Sequence, residues 1–326
     1  MKIRNILVAS VVVLFCSASM SGTTLLSHTW VSGSGSDSNP CTFASPCLTF
    51  TGALAKTTAG GIITAKDAGD FGQVIIGQSV TIDGNNLGSI TYTGSFGSMI
   101  GITPSANVTV QNLTINGLGS ATYGIDVADG GTVIVDNCRI MNIATDSIYF
   151  TGAGNLTVEN SRIESLAGSG SIGFEIYANA AENVVVRNTV IDASPVSANN
   201  YGFIVVPNGG LVTASLQNVT IRGAGAEAVW TGMGVTQIAG SVLTQSGIGV
   251  DATNGSTISV ASSMITANTT GVCSEASSKI RLDNNDIYDN TTAIANCGGI
   301  VKTSTTNKTS GTIAIPAADI SESVTF

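Results

Sequence analysis

Charged side chains are scarce: 12 Lys or Arg and 21 Asp or Glu make 10% of the 326 residues, against about 25% in an ordinary soluble domain. The formal charge of −9 excludes a nucleic-acid binder, which needs clustered Lys and Arg to neutralise phosphates. There is one histidine, His28, and it precedes all the repeats described below, where it reads as a leader residue. Ser-His-Asp and Cys-His catalysis inside the repeats are thereby excluded, because both need a histidine beside the nucleophile. Beyond residue 18 no apolar run reaches the about 20 residues that span a bilayer. Glycine is the residue in excess, with 39 copies, and 43% apolar content excludes disorder of the weakly hydrophobic, highly charged kind.

Residues 1–18 read as a secretory signal: Lys2 and Arg4 form a positive start, Ile6 to Phe15 an apolar run, and Cys16-Ser17-Ala18 a small-residue cleavage site. Cleavage there removes Lys2 and Arg4 and takes the formal charge from −9 to −11. The mature chain is expected to be exported, to the periplasm, cell surface or exterior, where disulfides form. Phe326 at the C-terminus is a weak outer-membrane signal on its own. Of the remaining cysteines, Cys41 and Cys47 flank a Pro-containing loop and are expected to pair. Cys273 and Cys297 fall in adjacent final repeats, about one position out of register, and their pairing stays open. Cys138 reads as a buried small apolar residue. The thiols form no C-x-x-C pair and have no histidine partner, so no metal and no cofactor is expected.

The strongest signal is internal repetition. Val108–Ile115, Val133–Ile140, Leu156–Ile163, Val184–Ile191, Ala214–Ile221, Thr236–Leu243, Ile258–Ile265 and Ile280–Ile287 align without gaps. Their fifth position is Asn112, Asn137, Asn160, Asn188, Asn218, Gly240, Ser262 and Asn284, at spacings of 25, 23, 28, 30, 22, 22 and 22 residues. Apolar residues recur with period two and are β-branched, which is strand and not helix. A shorter strand follows in each copy, as in Ile125-Asp-Val127, Phe174-Glu-Ile176 and Ala228-Val-Trp230. One such coil cannot bury its apolar face, but stacked coils can, each adding about 4.8 Å along an axis. The predicted fold is all-β, a single-stranded right-handed parallel β-helix (solenoid) with a short N-terminal capping helix.

The asparagine column marks a sharp turn that needs left-handed backbone angles, and its amides can bond from coil to coil. The sequons it creates, such as Asn112-Leu-Thr114, are read as structural. Ser45-Pro46 is expected to open the capping helix over the exposed first coil. The organisation is then a signal over 1–18, a leader and cap over 19–61, and a solenoid over 62–326 that closes near Thr312–Ile315.

The stretches Thr29–Cys41, Ser45-Pro-Cys-Leu-Thr-Phe50, Gly60-Gly-Ile62 and Ser79–Gly84 resemble bacterial exported right-handed β-helix proteins of the broad pectin-lyase-like superfamily. The resemblance covers essentially the whole mature chain. It implies a fold and is nearly silent on activity. Enzymes of this fold are mostly polysaccharide lyases, hydrolases and epimerases. The paired-aspartate, Gly-His-Gly and Arg-Ile-Lys patches of polygalacturonase-like hydrolases are absent. So is the aspartate cluster with which pectate-lyase-like enzymes hold Ca²⁺.

Two constellations stand out. Asp136 and Glu159 precede the asparagine turn on consecutive coils, and Arg139 and Arg162 follow it. The carboxylates could do acid–base work on a glycosidic bond, or all four could form an exposed ion-pair ladder worth about 0–1 kcal/mol per pair. The second is geometric. Segments Gly117–Thr122, Glu164–Ser171 and Ala193–Asn200 are longer than their counterparts and lie on one side, as insertions at a binding face do. Beside them the outward column of the following strands carries Asp126, Tyr149, Glu175 and Tyr177, a set suited to sugar rings and hydroxyls. Tyr123 and Tyr201 are expected, by alternation, to point inward. The favoured reading is a binding or structural protein of the cell envelope or exterior, holding a polysaccharide or surface glycan on its loop-bearing face. The alternative is a polysaccharide lyase or glycoside hydrolase with Asp136, Glu159 or Glu175 as catalytic carboxyl.

Overall fold

A computed structural model describes residues 24–94, 97–103, 106–128, 131–164, 166–194 and 199–314. The expected signal over 1–18 and Phe326 lie outside the described residues, as does Ile315. Each coil gives one strand to each of three parallel sheets, which among the described residues hold 12, 11 and 11 strands. The chain passes from first to second to third sheet and back to the first, one coil further on. It is a parallel β-solenoid.

The repeat alignment is the strand register. In the first sheet Val110, Val135, Val158 and Val186 stand opposite one another. In the second, Ile115, Ile140, Ile163, Ile191 and Ile221 do so, and all nine are fully buried. The third sheet stacks Ile125, Ile148, Phe174 and Phe203, with the two phenylalanine rings 5.9 Å apart. Like thus packs on like along the axis, and one apolar column continues through the molecule.

Between first and second sheets the fifth repeat position always has positive φ: Asn112 56°, Asn137 49°, Asn160 51°, Asn188 50°, Asn218 52° and Asn284 52°. Gly240 and Ser262 adopt 59° and 49° at the same place. The amides do bond from coil to coil, Asn137 Nδ2 donating to Asn112 Oδ1 at 2.8 Å and Asn188 to Asn160 at 3.3 Å. The next position points inward and bonds along the axis as well: Cys138 N–H donates to Ser161 Oγ at 3.1 Å and Val219 N–H to Ser241 Oγ at 3.1 Å. Cys138 is a free, buried thiol, and burial pushes it up to about 12, which leaves it unreactive.

The capping helix is Phe50–Leu54, and its N-cap is Thr49, whose Oγ1 accepts from Gly52 N–H at 2.9 Å, not Ser45. The reason is the strand beside it. Cys47 N–H bonds Trp30 O at 2.9 Å, and Asp37 Oδ1 accepts from Leu48 and Thr49 N–H at 2.9 Å each, so the chain stays extended until residue 49. Within 19–61, strand Leu26–Val31 pairs in parallel with Thr57–Ala65, so the first sheet begins ahead of residue 62. His28 therefore sits in a strand and not in a leader. It bonds Thr64 Oγ1 at 2.9 Å and stacks on Trp30 at 4.3 Å. Cys41 and Cys47 are bridged, with Cα atoms 4.6 Å apart, and so are Cys273 and Cys297, at 5.7 Å. Cys273 stands opposite Ala295, so its partner lies two residues beyond register, not one. Two disulfides are the mark of an oxidising compartment, and with this fold they indicate an exported protein.

Candidate functional site

The third sheet enters each coil through a corner where two successive side chains face inward. A Cβ on Gly124 would lie 2.4 Å from Ser147 O and 2.9 Å from Ile140 Cγ2, in the core. Gly173 and Gly202 meet equivalent atoms. The next residue, Ile125, is fully buried too. This break in alternation turns Tyr123 outward, contrary to the expectation from period two. Its ring stacks on Tyr149 of the next coil, centroids 4.8 Å apart and planes 11° from parallel. Tyr201 is likewise half-buried ahead of its glycine.

Beyond the corner, alternation resumes, and Asp126, Tyr149 and Glu175 stand directly opposite one another on three consecutive strands. Tyr177 follows on the same face. Ser98 Oγ donates to Asp126 Oδ2 at 2.9 Å. Burial raises Asp126 above the usual carboxylate range, and this bond only partly offsets it.

Asp146, opposite Tyr123, completes the group. It is 2% exposed, and its Oδ1 has no hydrogen-bond partner among the described residues. Burial, then the charge and hydrogen bonding of Glu175, push Asp146 up to about 8. Glu175 is also raised, chiefly by burial. Tyr149 is pushed up to about 12 by burial and by Glu175. The site is therefore a buried Asp146 whose protonated form is favoured, behind carboxyl groups and two stacked phenols.

The outward column continues through Ile204 and Trp230 to Asp251. Asp251 is 3% exposed, next to Cys273 of the disulfide. Burial, then Glu275 and Glu227, push it up to about 7. Among the described residues no three His, Cys, Asp or Glu side chains are grouped to hold a metal ion.

The arginines lie elsewhere. Asp136 and Glu159 end strands of the first sheet, while Arg139 and Arg162 begin strands of the second. The expected pairing across the turn does not occur. Arg139 and Arg162 both bond Glu164, Arg162 reaches Asp192 at 3.4 Å, and Arg222 bonds Asp192. Glu159 instead takes Arg187 at 2.6 Å, and Asp136 Oδ1 accepts from Asn160 Nδ2 at 2.8 Å. Glu164 and Asp192 sit third in their strands, where parity faces them along the same side as the arginines. The repeats, aligned only to their isoleucine, ended one residue short of them. Both carboxyls are held below the usual range by their arginines against burial. The structure thus brings Asp126, Tyr149, Glu175 and Tyr177 together and leaves Asp136, Glu159, Arg139 and Arg162 on other sheets. Reading from sequence missed Tyr123, Asp146 and Trp230. Trp230 shares its strand phase with Glu175, which was the available signal.

A family model described as the right-handed beta helix region matches residues 63–213. A search of the curated proteins finds no match. Among solved structures, pectate lyase Pel9A superposes with a TM-score of 0.59 at 14% identity, covering 88% of this chain and 78% of the other. XylC in complex with xylose does so with a TM-score of 0.55 at 9% identity, covering 85% and 70%. Likeness at these identities concerns the fold. Among the described residues no helix is long and apolar enough to cross a membrane. The chain has a right-handed parallel β-helix fold.

Proposed function

We propose that this chain is an exported solenoid of the cell envelope or exterior that binds a neutral polysaccharide on the outer face of its third sheet. The observation that carries the reading is the Tyr123–Tyr149 stack at 4.8 Å with Asp126 and Glu175 in register on either side of Tyr149. Aromatic rings offer a flat apolar face with a polar tip, which suits the alternating C–H faces and hydroxyls of a pyranose. Carboxyl oxygens accept strongly from hydroxyl donors. The same carboxylates, on a chain of formal charge −9, oppose a polyuronate by like-charge repulsion. A fold that also occurs in a protein holding xylose accommodates ligands of this class.

The test is titration of the purified chain with xylan, glucomannan and polygalacturonate. Binding to a neutral polymer that Tyr149→Ala weakens at least tenfold supports the reading. No binding to either neutral polymer overturns it.

A second reading, glycoside hydrolysis, is favoured by one observation. Asp126 and Glu175 lie two strands apart on one face, about 10 Å between backbones, and both are raised toward the range of a general acid. Release of reducing ends from a bound polymer, lost in Glu175→Gln with binding retained, would select it. Binding without release selects the first reading.

A further inference from the structure

The outer face of the third sheet does not end at the tyrosines. One outward column runs Tyr149, Glu175, Ile204, Trp230. A second, two residues further along the strands, runs Thr151, Tyr177, Val206. The Trp230 indole folds from the first column onto the second. A Cβ on Gly232 would lie 2.6 Å from Trp230 Cη2 and 2.7 Å from Pro207 Cδ, so a glycine stands there because the ring fills its space. The indole therefore lies beyond Val206, which itself follows Tyr177.

Tyr123, Tyr149, Tyr177, Val206 and Trp230 consequently form one apolar strip that crosses the strands and runs along the solenoid axis. Ile204, outward-facing yet 6% exposed, is packed beneath it. From Tyr149 to Trp230 is three strand steps, about 14 Å at the spacing of a parallel sheet. Carboxyl groups flank both ends: Asp126 and Glu175 at the tyrosine end, Asp251 opposite Trp230. Asp251 Oδ1 is buried with no partner among the described residues.

We propose that Trp230 is a second aromatic subsite and that the ligand is a linear neutral glycan laid along the solenoid axis from Tyr149 to Trp230. This rests on the binding reading above and adds direction and length to it. A strand step is close to the length of one extended pyranose unit, so a chain that stacks on both rings must contain several units. A short ligand reaches the tyrosines alone.

The experiment is calorimetric titration of the full chain with xylo-oligosaccharides from two to six units. Affinity is expected to rise at least tenfold from the shortest to the longest. Trp230→Ala removes that rise and leaves the disaccharide unchanged, Trp230→Phe retains most of it, and Tyr149→Ala weakens every length. Circular dichroism and the melting temperature confirm that each variant is folded. A rise that survives Trp230→Ala, or an affinity independent of length in the parent protein, overturns the second subsite and leaves the binding reading standing. Failure of every oligosaccharide to bind the parent protein, together with the polymer titration above, overturns both.

Discussion

Asp146 and Glu175, on neighbouring strands of the third sheet, bias each other's protonation: burial first, and then the Glu175 carboxyl, push Asp146 up to about 8, while the hydrogen bond from Asp146 lowers Glu175 against its own burial. Asp126, Tyr123 and Tyr149 face the same pair. A solvent-facing sheet surface therefore holds a carboxylic acid in neutral form, which makes the face responsive to pH.

Stability should fall with rising pH because of this group. Native Asp146 binds its proton more tightly than the unfolded side chain, whose pKa is about 3.9. Its contribution is fully present below that value and is lost between about pH 4 and the folded value, which is about 8. Glu182 is 1% exposed, and burial likewise pushes it up to about 8, against the opposing effect of the backbone N–H groups of Asn179 and Gly152. Urea midpoints measured from pH 4 to 9 should decline in the parent protein and decline less in Asp146→Asn and Glu182→Gln. Identical slopes in all three would contradict this account.

The ladder on the second sheet has the opposite sign. Glu164 and Asp192 are held below their ordinary range, so their contribution is present above the unfolded pKa and is lost as pH falls through the folded one. Carboxyl NMR titration should find both ionising below the ordinary carboxylate range. Glu164→Ala should destabilise by about 0–1 kcal/mol for each of the two ion pairs it breaks, since Arg139 and Arg162 are about half exposed. A double-mutant cycle with Arg162→Ala should be strongly non-additive; additive losses would show the ladder to be inert.

Gly202 cannot accept a side chain. A Cβ there would meet Ile221 Cγ2 at 2.4 Å and Ala228 O at 2.5 Å, one of them backbone. Gly202→Ala should cost about 1–3 kcal/mol, read as a lowered denaturation midpoint. By contrast Gly209, with φ of 92° and nothing within 4 Å, should lose only the backbone preference, about 1 kcal/mol. Equal losses at the two positions would refute the crowding at the corner.

The Cys273–Cys297 bridge closes 24 residues and ties the last coils together. Its removal as a double serine variant should cost about 3 kcal/mol. Because coils contact only their neighbours, hydrogen exchange should accelerate near residues 270–303 and stay unchanged around Val108–Ile163. Uniform acceleration would argue for a fully cooperative solenoid.

The strand order and register, the core and the positive-φ turns were legible in the repeats because a stacked coil must place the same residue type at the same corner every time. Period two also placed Asp126, Tyr149, Glu175 and Tyr177 on one outer face. It failed for Tyr123, since at the Gly124 corner the backbone turns and two successive positions face inward. It was silent on Asp146 and Trp230 as partners of that face, because burial of an outward side chain depends on neighbours 20 to 30 residues away. The arginine ladder was misassigned for a related reason. Charges were paired across the nearest turn, whereas the turn splays the two sheets apart and each guanidinium finds its carboxylate along its own sheet. Sequence alone thus determined the coil, through repetition and alternation. Only the tertiary structure decided which side chains share an environment, because protonation, stacking and ion pairing are set by distances between coils that no single repeat contains.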